Sequence, residues 1–275
     1  MRTLLITGAS DGMGRATALR LAGPDTDLIL VGRNEQRGAE AERAVAATGA
    51  RATFLSIDLS TVAGWRELAA QGERRWPRLD ALVHAAGGLF SRDRVLTGDG
   101  LERSFAVQVL ARFALTELLL DRLEAADHPK VLAIAGGGTY GGGLDLGDLQ
   151  GERSHSYFAS IRKQGGANDL LTRALMTRHD GIAFYNYGPG LVRTKVTMWH
   201  PVMQVLLGTV GRLWSHSPEE AAADIVELLD RTHPAGFYGP GCKYRGTEPR
   251  SADAGEIDDF WDYCAALAPG TLTEA

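Results

Sequence analysis

Three glycines spaced G-x3-G-x-G, Gly8, Gly12 and Gly14 of "TGASDGMG" (7–14), stand where a short apolar run gives way to a helix-type segment. Glycine allows backbone angles that a Cβ forbids. A turn built this way lets N–H groups approach a phosphate at a helix N-terminus, where the dipole favours anions. The pattern points to a pyrophosphate held over Gly8, Ser10, Asp11, Gly12, Met13 and Gly14. The same residues also spell G-x-S-x-G, the nucleophile-elbow pattern of hydrolases, with Ser10 as nucleophile. That reading is set aside. No strand precedes this one to build the sheet and oxyanion loop that such an enzyme requires.

Three further groups fit a dinucleotide. Arg33, followed by Asn34 in "VGRN", stands after the second apolar run, where a carboxylate for a ribose 2′-hydroxyl would otherwise be. A guanidinium there suits a 2′-phosphate, hence NADP(H) over NAD(H). Asp58, with Leu59 in "IDLS", ends the third run and could accept from an adenine amine or cap a helix together with Ser60. Ala85, Ala86 and Gly87 in "HAAGG" are small enough for backbone to lie against a nucleotide.

Acid–base chemistry is harder to place. Tyr157 and Lys163 in "YFASIRKQGGAN" are six residues apart, so on a helix they lie ~120° apart and face differently. Gln164, not a lysine, stands seven residues from Tyr157 and shares its face. Tyr157, His155 and Tyr140 are the candidate proton donors, and Lys163 is either their partner or a solvated helix lysine. No paired metal-ligand motif occurs among the seven histidines, so no metal is expected.

These side chains need a scaffold, and the chain alternates short β-type runs with helix-type segments. The runs "TLLIT" (3–7), "DLILVG" (27–32), "ATFLSI" (52–57), "LDALVH" (79–84), "KVLAIA" (130–135), "IAFYNY" (182–187) and "GFYG" (236–239) read as strands. Helices are expected over 12–22, 35–47, 65–75, 101–123, 156–178 and 217–231, the last opened by Ser217 as N-cap and Pro218 at the first position. Apolar strands alternating with helices predict an α/β fold: one Rossmann-type, doubly wound parallel sheet with helices on both faces, in a single domain over 1–275. Residues 188–215 are too long for a plain connector and read as a substrate-side lid, with a core-packing helix as the other reading of 198–214.

Composition narrows the setting. Hydrophobic residues are 44% of the 275, enough for a large core, and 29 Lys and Arg against 34 Asp and Glu give a net charge of −5. That balance argues against nucleic acid or an anionic membrane as partner. Two cysteines suggest a reducing compartment and no disulfide framework. The apolar run begins at once after Met1-Arg2 and no stretch could span a bilayer, so a cytoplasmic location is expected.

Together, "TGASDGMG", "DLS", "HAAG" and "GPGLVRT" (188–194) resemble the ordered motifs of the short-chain dehydrogenase/reductase superfamily over nearly the whole chain. The loop "GGGLDLGDLQGER" is similar to that of the retinol-dehydrogenase-like branch. The resemblance implies that Pro189, Gly190, Val192 and Thr194 close over the nicotinamide, and that the protein is a homodimer or homotetramer acting on a small molecule. It also implies an asparagine, serine, tyrosine and lysine tetrad, and here all four positions depart. They fall on Gln108, Gly136, Ile161 and Gly165, a register set by "ANDLLTRAL" (167–175). The glycines at 136–138 and the pair Gly165-Gly166 would leave space beside the nicotinamide for a bulky substrate, or for Tyr140 or Tyr157. The expected function is an NADP(H)-dependent oxidoreductase of a carbonyl, alcohol or enone with a degenerate active site and a non-standard proton donor. The alternatives are a non-redox cyclase, isomerase or dehydratase on this scaffold, or a catalytically silent NADP(H)-binding protein.

Overall fold

The computed structural model describes residues 1–88, 90–139, 144–190, 192, 216–247 and 254–272. Eight strands form one sheet in the order β3-β2-β1-β4-β5-β6-β7-β8. They are β1 (Arg2–Thr7), β2 (Thr26–Gly32), β3 (Arg51–Ser56), β4 (Ala81–His84), β5 (Lys130–Ile134), β6 (Ala183–Tyr187), β7 (Gly236–Gly239) and β8 (Lys243–Gly246). All neighbours are parallel except β7 and β8. The order reverses between β1 and β4, and the carboxyl ends of strands at such a reversal open a crevice for ligands.

The pleat explains why the strands read as apolar on both faces. In β1, Leu4 and Ile6 point to one side and Leu5 to the other, all fully buried. On one face Leu4, Ile6, Leu28 and Leu30 meet α1 (Gly12–Leu21), α2 (Glu35–Ala46) and α8 (Pro218–Asp230). On the other, Leu5, Ile29 and Leu82 meet Trp65 of α3 (Val62–Arg75), Phe113 of α5 (Ala111–Leu118), Leu171 of α7 (Tyr157–Arg178) and Trp261 of α9 (Ala254–Leu267). Burying one such aromatic or aliphatic side chain stabilises by roughly 1.5–3 kcal/mol.

The cap expected on α8 forms in full. The Ser217 hydroxyl accepts from the Glu220 N–H while the Glu220 carboxylate accepts from the Ser217 N–H. At the far end, Lys130 Nζ donates to the carbonyls of Leu228, Leu229 and Arg231, a cation on a helix C-terminus.

Three elements differ from the expectation. The segment 101–123 is not one helix. It runs as α4 (Arg103–Phe105), a π-helical turn (Ala106–Leu110), α5, and α6 (Leu120–Glu124) after a break at Leu119. The π turn inserts a residue into the helical ladder, with the Ala111 N–H reaching back to the Ala106 carbonyl, a device frequent at functional sites. Hydrophobic periodicity alone does not distinguish it from a plain helix. The strand β8 and the helix α9 were not foreseen: β8 is mostly exposed, so burial leaves no alternating pattern in its four residues. The residues of the expected lid other than 188–190 and 192 lie outside the described residues, as does Tyr140.

Candidate active site

A cleft of about 550 Å³ opens at the carboxyl ends of β1, β2, β4 and β5. Its floor is the glycine turn. Gly8 and Gly12 have φ of +68° and +55°, the left-handed region that excludes most side chains. A Cβ on Gly8 would lie 2.7 Å from the Ala86 backbone, and one on Gly14 would lie 2.4 Å from the Gly8 carbonyl oxygen. The turn is thus pressed against both the loop after β4 and the first turn of α1. Asp11 caps α1, accepting from the Gly12 N–H at 2.8 Å, and pairs with Arg37 at 3.0 Å.

Most residues expected at the cofactor face this cleft. Gly8, Ser10, Asp11, Gly12, Met13 and Gly14 line its floor; Ala85, Ala86 and Gly87 line the wall from β4. Arg33, Asp58 and Leu59 line one end, and Pro189 and Gly190 line the other. Asn34 is turned away: its side-chain oxygen caps α2 by accepting from the Arg37 N–H. Val192 forms an isolated bridge with His216 and packs on the core below α8, outside the cleft wall. Thr194 lies outside the described residues. Asp58 accepts from the Ser60 N–H at 3.0 Å, but the cap of α3 is Thr61, so Asp58 does not share that role with Ser60.

The four positions matched to the family tetrad, Gln108, Gly136, Ile161 and Gly165, all line the cleft. The side chains sit as the register of "ANDLLTRAL" requires, but the chemistry at those positions is bare. Gly136 alone of its run opens on the cleft. Gly137 and Gly138 are packed beneath β7, where a Cβ would meet the Tyr238 carbonyl at 2.2 Å and the Phe237 ring at 2.9 Å. Their φ values of +62° and +75° explain why glycine stands there.

Amides and one cation fill the wall instead. Gln108, on the π turn, accepts from the Gly88 N–H at 3.2 Å and donates to Gln164 at 2.7 Å. Gln164 donates onward to Ser160 at 2.9 Å and to the buried carboxylate of Glu102 at 3.4 Å. Arg112, 4% exposed, donates to Asn168 at 2.8 Å, to the Ile134 carbonyl at 2.9 Å and to the Ala86 carbonyl at 3.4 Å. Burial pulls its guanidinium down to about 9. Behind it, Thr116 donates to the Arg112 carbonyl, so His84 Nε2 must be the donor in its 3.1 Å contact with Thr116. Burial first and the Arg112 charge second hold His84 well below the ordinary imidazole range, hence neutral.

The candidate acid–base pair separates. Tyr157 stacks edge-on with Phe90 and Phe158 at the start of α7 and does not line the cleft. His155 contacts the Ser91 carbonyl at 3.3 Å, away from the wall. Lys163 turns to the opposite side of α7. Its ammonium donates to the Asp148 carboxylate and carbonyl, both at 2.6 Å, and to the Ser154 carbonyl at 2.9 Å. It is neither a cleft residue nor a solvated one. The Lys163 hydrogen bond, followed by the Arg153 N–H, brings the Asp148 carboxyl down to about 2. That stabilisation is present above the unfolded carboxylate value near ~3.9 and is lost as pH falls through about 2. Replacing Lys163 by methionine leaves Asp148, 4% exposed at its side chain, without its cation. The expected cost is roughly 3 kcal/mol by thermal denaturation, with dinucleotide affinity by calorimetry within twofold of wild type. A collapse of affinity instead would return Lys163 to the site.

With this geometry in place the chain can be compared with known proteins. The model of the short chain dehydrogenase family matches residues 2–201. The chain belongs to the short-chain dehydrogenase family. Mouse polyprenol dehydrogenase is 32% identical over 94% of this chain and 79% of its own. The candidate daunorubicin C-13 ketoreductase DnrU of Streptomyces sp. (strain C5) is 34% identical over 98% of this chain and 93% of its own. Human retinol dehydrogenase 14 is 27% identical over 95% of this chain and 84% of its own, placing the short-chain dehydrogenase in the retinol-dehydrogenase-like branch. Among solved structures, an uncharacterized protein from Mycobacterium paratuberculosis superposes with a TM-score of 0.74 at 25% identity, covering 98% of this chain and 93% of that one. An alcohol dehydrogenase from the archaeon Thermococcus sibiricus, complexed with 5-hydroxy-NADP, gives 0.67 at 21% identity over 90% and 99% of the two chains and shares the fold. This chain's family is one of NAD(P)-dependent oxidoreductases, and the tight glycine floor fits a dinucleotide pyrophosphate.

Arg112, Gln164, Asn168 and Arg37 were not foreseen at the site. Arg112 did carry a signal, a charge inside the apolar run "FAVQVLARFALT". Gln164 was marked only by its place seven residues from Tyr157, and Asn168 only as part of the motif that set the register, because a polar residue on a long helix reads equally as surface.

Proposed function

We propose that this protein is an NADP(H)-dependent reductase or dehydrogenase of a carbonyl or alcohol in a bulky small molecule, working without a side-chain proton donor at the usual position. The observation that carries the cofactor reading is the Arg33 guanidinium. It is exposed at the edge of the cleft and makes no hydrogen bond or ion pair among the described residues. Arg37 lines the same end, its charge partly met by Asp11. Two guanidiniums suit a 2′-phosphate and leave no acidic partner for a free 2′-hydroxyl of the ribose.

The bound cofactor supplies hydride transfer to or from C4 of its nicotinamide ring. The protein's residues do the rest. The glycine turn and α1 hold the pyrophosphate through backbone N–H groups. Ile161, Gly136 and Gly165 bring no bulky polar side chain to the wall and leave room for a wide substrate. Gln108 and Gln164 hold each other and the Gly88 backbone, fixing the wall's geometry. On reduction, the carbonyl π-electron pair passes to the substrate oxygen and a proton from water completes the alcohol. Loss of a placed general acid costs about 10²–10⁴-fold in rate, so slow turnover is expected.

A panel of aromatic and alicyclic ketones, enones and alcohols, followed by NADPH absorbance, tests the reading. Slow NADPH oxidation with a bulky ketone is the expected result. The bare tetrad positions favour a second reading, a non-redox isomerase or dehydratase. Substrate conversion with NADPH undiminished would establish that one in place of the first.

A further inference from the structure

Arg112 is a buried cation with no counter-ion among the described residues. Its three hydrogen bonds go to neutral oxygens, those of Asn168, Ile134 and Ala86, and no carboxylate pairs with it among the described residues. Its Nε has no hydrogen-bond partner among the described residues. His84, which feels the Arg112 charge, is held neutral. An uncompensated buried charge costs several kcal/mol. A purely structural role would be served at lower cost by an apolar residue or by an arginine beside a carboxylate.

The position explains what the charge is for. Arg112 reaches the cleft from α5, between the ends of β4 and β5, where Gly136, Ile161 and Gly165 also line the wall. Gly165 is the position at which the family resemblance places a lysine, and Asn168, the hydrogen-bond partner of Arg112, lies three residues further along the same helix. The positive charge missing from α7 thus arrives from its neighbour. It differs in two ways from an ammonium on a flexible stem. It is fixed by three hydrogen bonds, and it sits deeper than bulk water can screen.

We propose that Arg112 selects the oxidation state of the cofactor: its charge disfavours the cationic oxidised nicotinamide relative to the neutral reduced one, so the cleft is loaded with NADPH and poised for reduction. The inference rests on the cofactor reading above and adds a direction to it. The same charge stabilises a substrate oxygen as it becomes anionic on reduction.

Calorimetric titration of wild type, R112M and R112Q with NADPH, NADP⁺ and 2′-phospho-ADP-ribose, which lacks the nicotinamide, tests it. Wild type is expected to bind NADPH about tenfold more tightly than NADP⁺, as one unit of charge repulsion at short range implies. R112M is expected to narrow that ratio to threefold or less while the fragment binds as before. R112Q, which keeps a donor for Asn168, is expected to behave the same way and serves if R112M does not fold. An unchanged ratio in the folded variant, or no preference in wild type that nonetheless binds the fragment, overturns the selection. Failure of wild type to bind the fragment overturns the cofactor reading itself.

Discussion

Gly8→Val is expected to reduce NADPH affinity at least 100-fold and to lower stability by more than 3 kcal/mol. Two independent costs combine. The backbone at Gly8 has φ of +68°, a conformation that costs about 1–2 kcal/mol for an ordinary L residue and more for a β-branched one. The new Cβ would also lie 2.7 Å from both the N and Cα of Ala86. Those are backbone atoms of the loop after β4, which cannot rotate away as a side chain could. The Ala85 and Ala86 N–H groups are both tied to the Thr7 hydroxyl, at 3.1 and 3.2 Å, so relief requires β1 and β4 to part at the mouth of the cleft. Gly23 is the control. A Cβ there meets nothing within 4 Å, and Gly23→Ala is expected to leave affinity and stability unchanged. Thermal denaturation and calorimetry together check the pair. A Gly8→Val protein that keeps its NADPH affinity would show that the glycine turn is not the pyrophosphate site.

Arg33→Glu is expected to weaken NADPH about 100-fold while NADH changes by threefold or less. A hydrogen-bonded pair with a charged group is worth about 1.5–3 kcal/mol, and reversing the charge adds repulsion to the loss of attraction. Arg33 is exposed and makes no bond within the protein among the described residues, so no change in stability is expected. Arg33→Ala should fall between the two. Arg37→Ala is expected to have a smaller effect, because Arg37 is shared with Asp11. If NADPH and NADH weaken equally in Arg33→Glu, the guanidinium does not read the 2′-phosphate.

The chemistry at the tetrad positions matters more for rate than for binding. Among the described residues of the cleft wall between Gln108 and Asn168, Arg112 is the one titratable side chain, and it stays a cation at neutral pH. The lysine that the sequence offers is fixed by Asp148 on the other side of α7. Tyr157 belongs to an aromatic cluster at the rim with Phe90 and Phe158. A pH–rate profile free of a tyrosine-like ionisation is the corresponding expectation.

The sequence by itself determined the parallel sheet, the glycine turn after its first strand and the residue types at the positions matched to the tetrad. Each is written in local code: apolar runs of strand length, glycines where only glycine fits, and a helix register carried by consecutive residues. Gln108, Ile161 and Gly165 could be put at the wall only through the motif register of the family resemblance, carried by "ANDLLTRAL". Only the tertiary structure decided what replaces the missing groups. Lys163 and Asp148 are 15 residues apart, and Arg112 and Asn168 are 56 apart. Whether a charged residue turns toward a cleft, a partner or water depends on which distant carbonyls and carboxylates the packing brings within about 3 Å of it. That distance is set by how α5 and α7 lie on the sheet, and no local pattern in either helix records it.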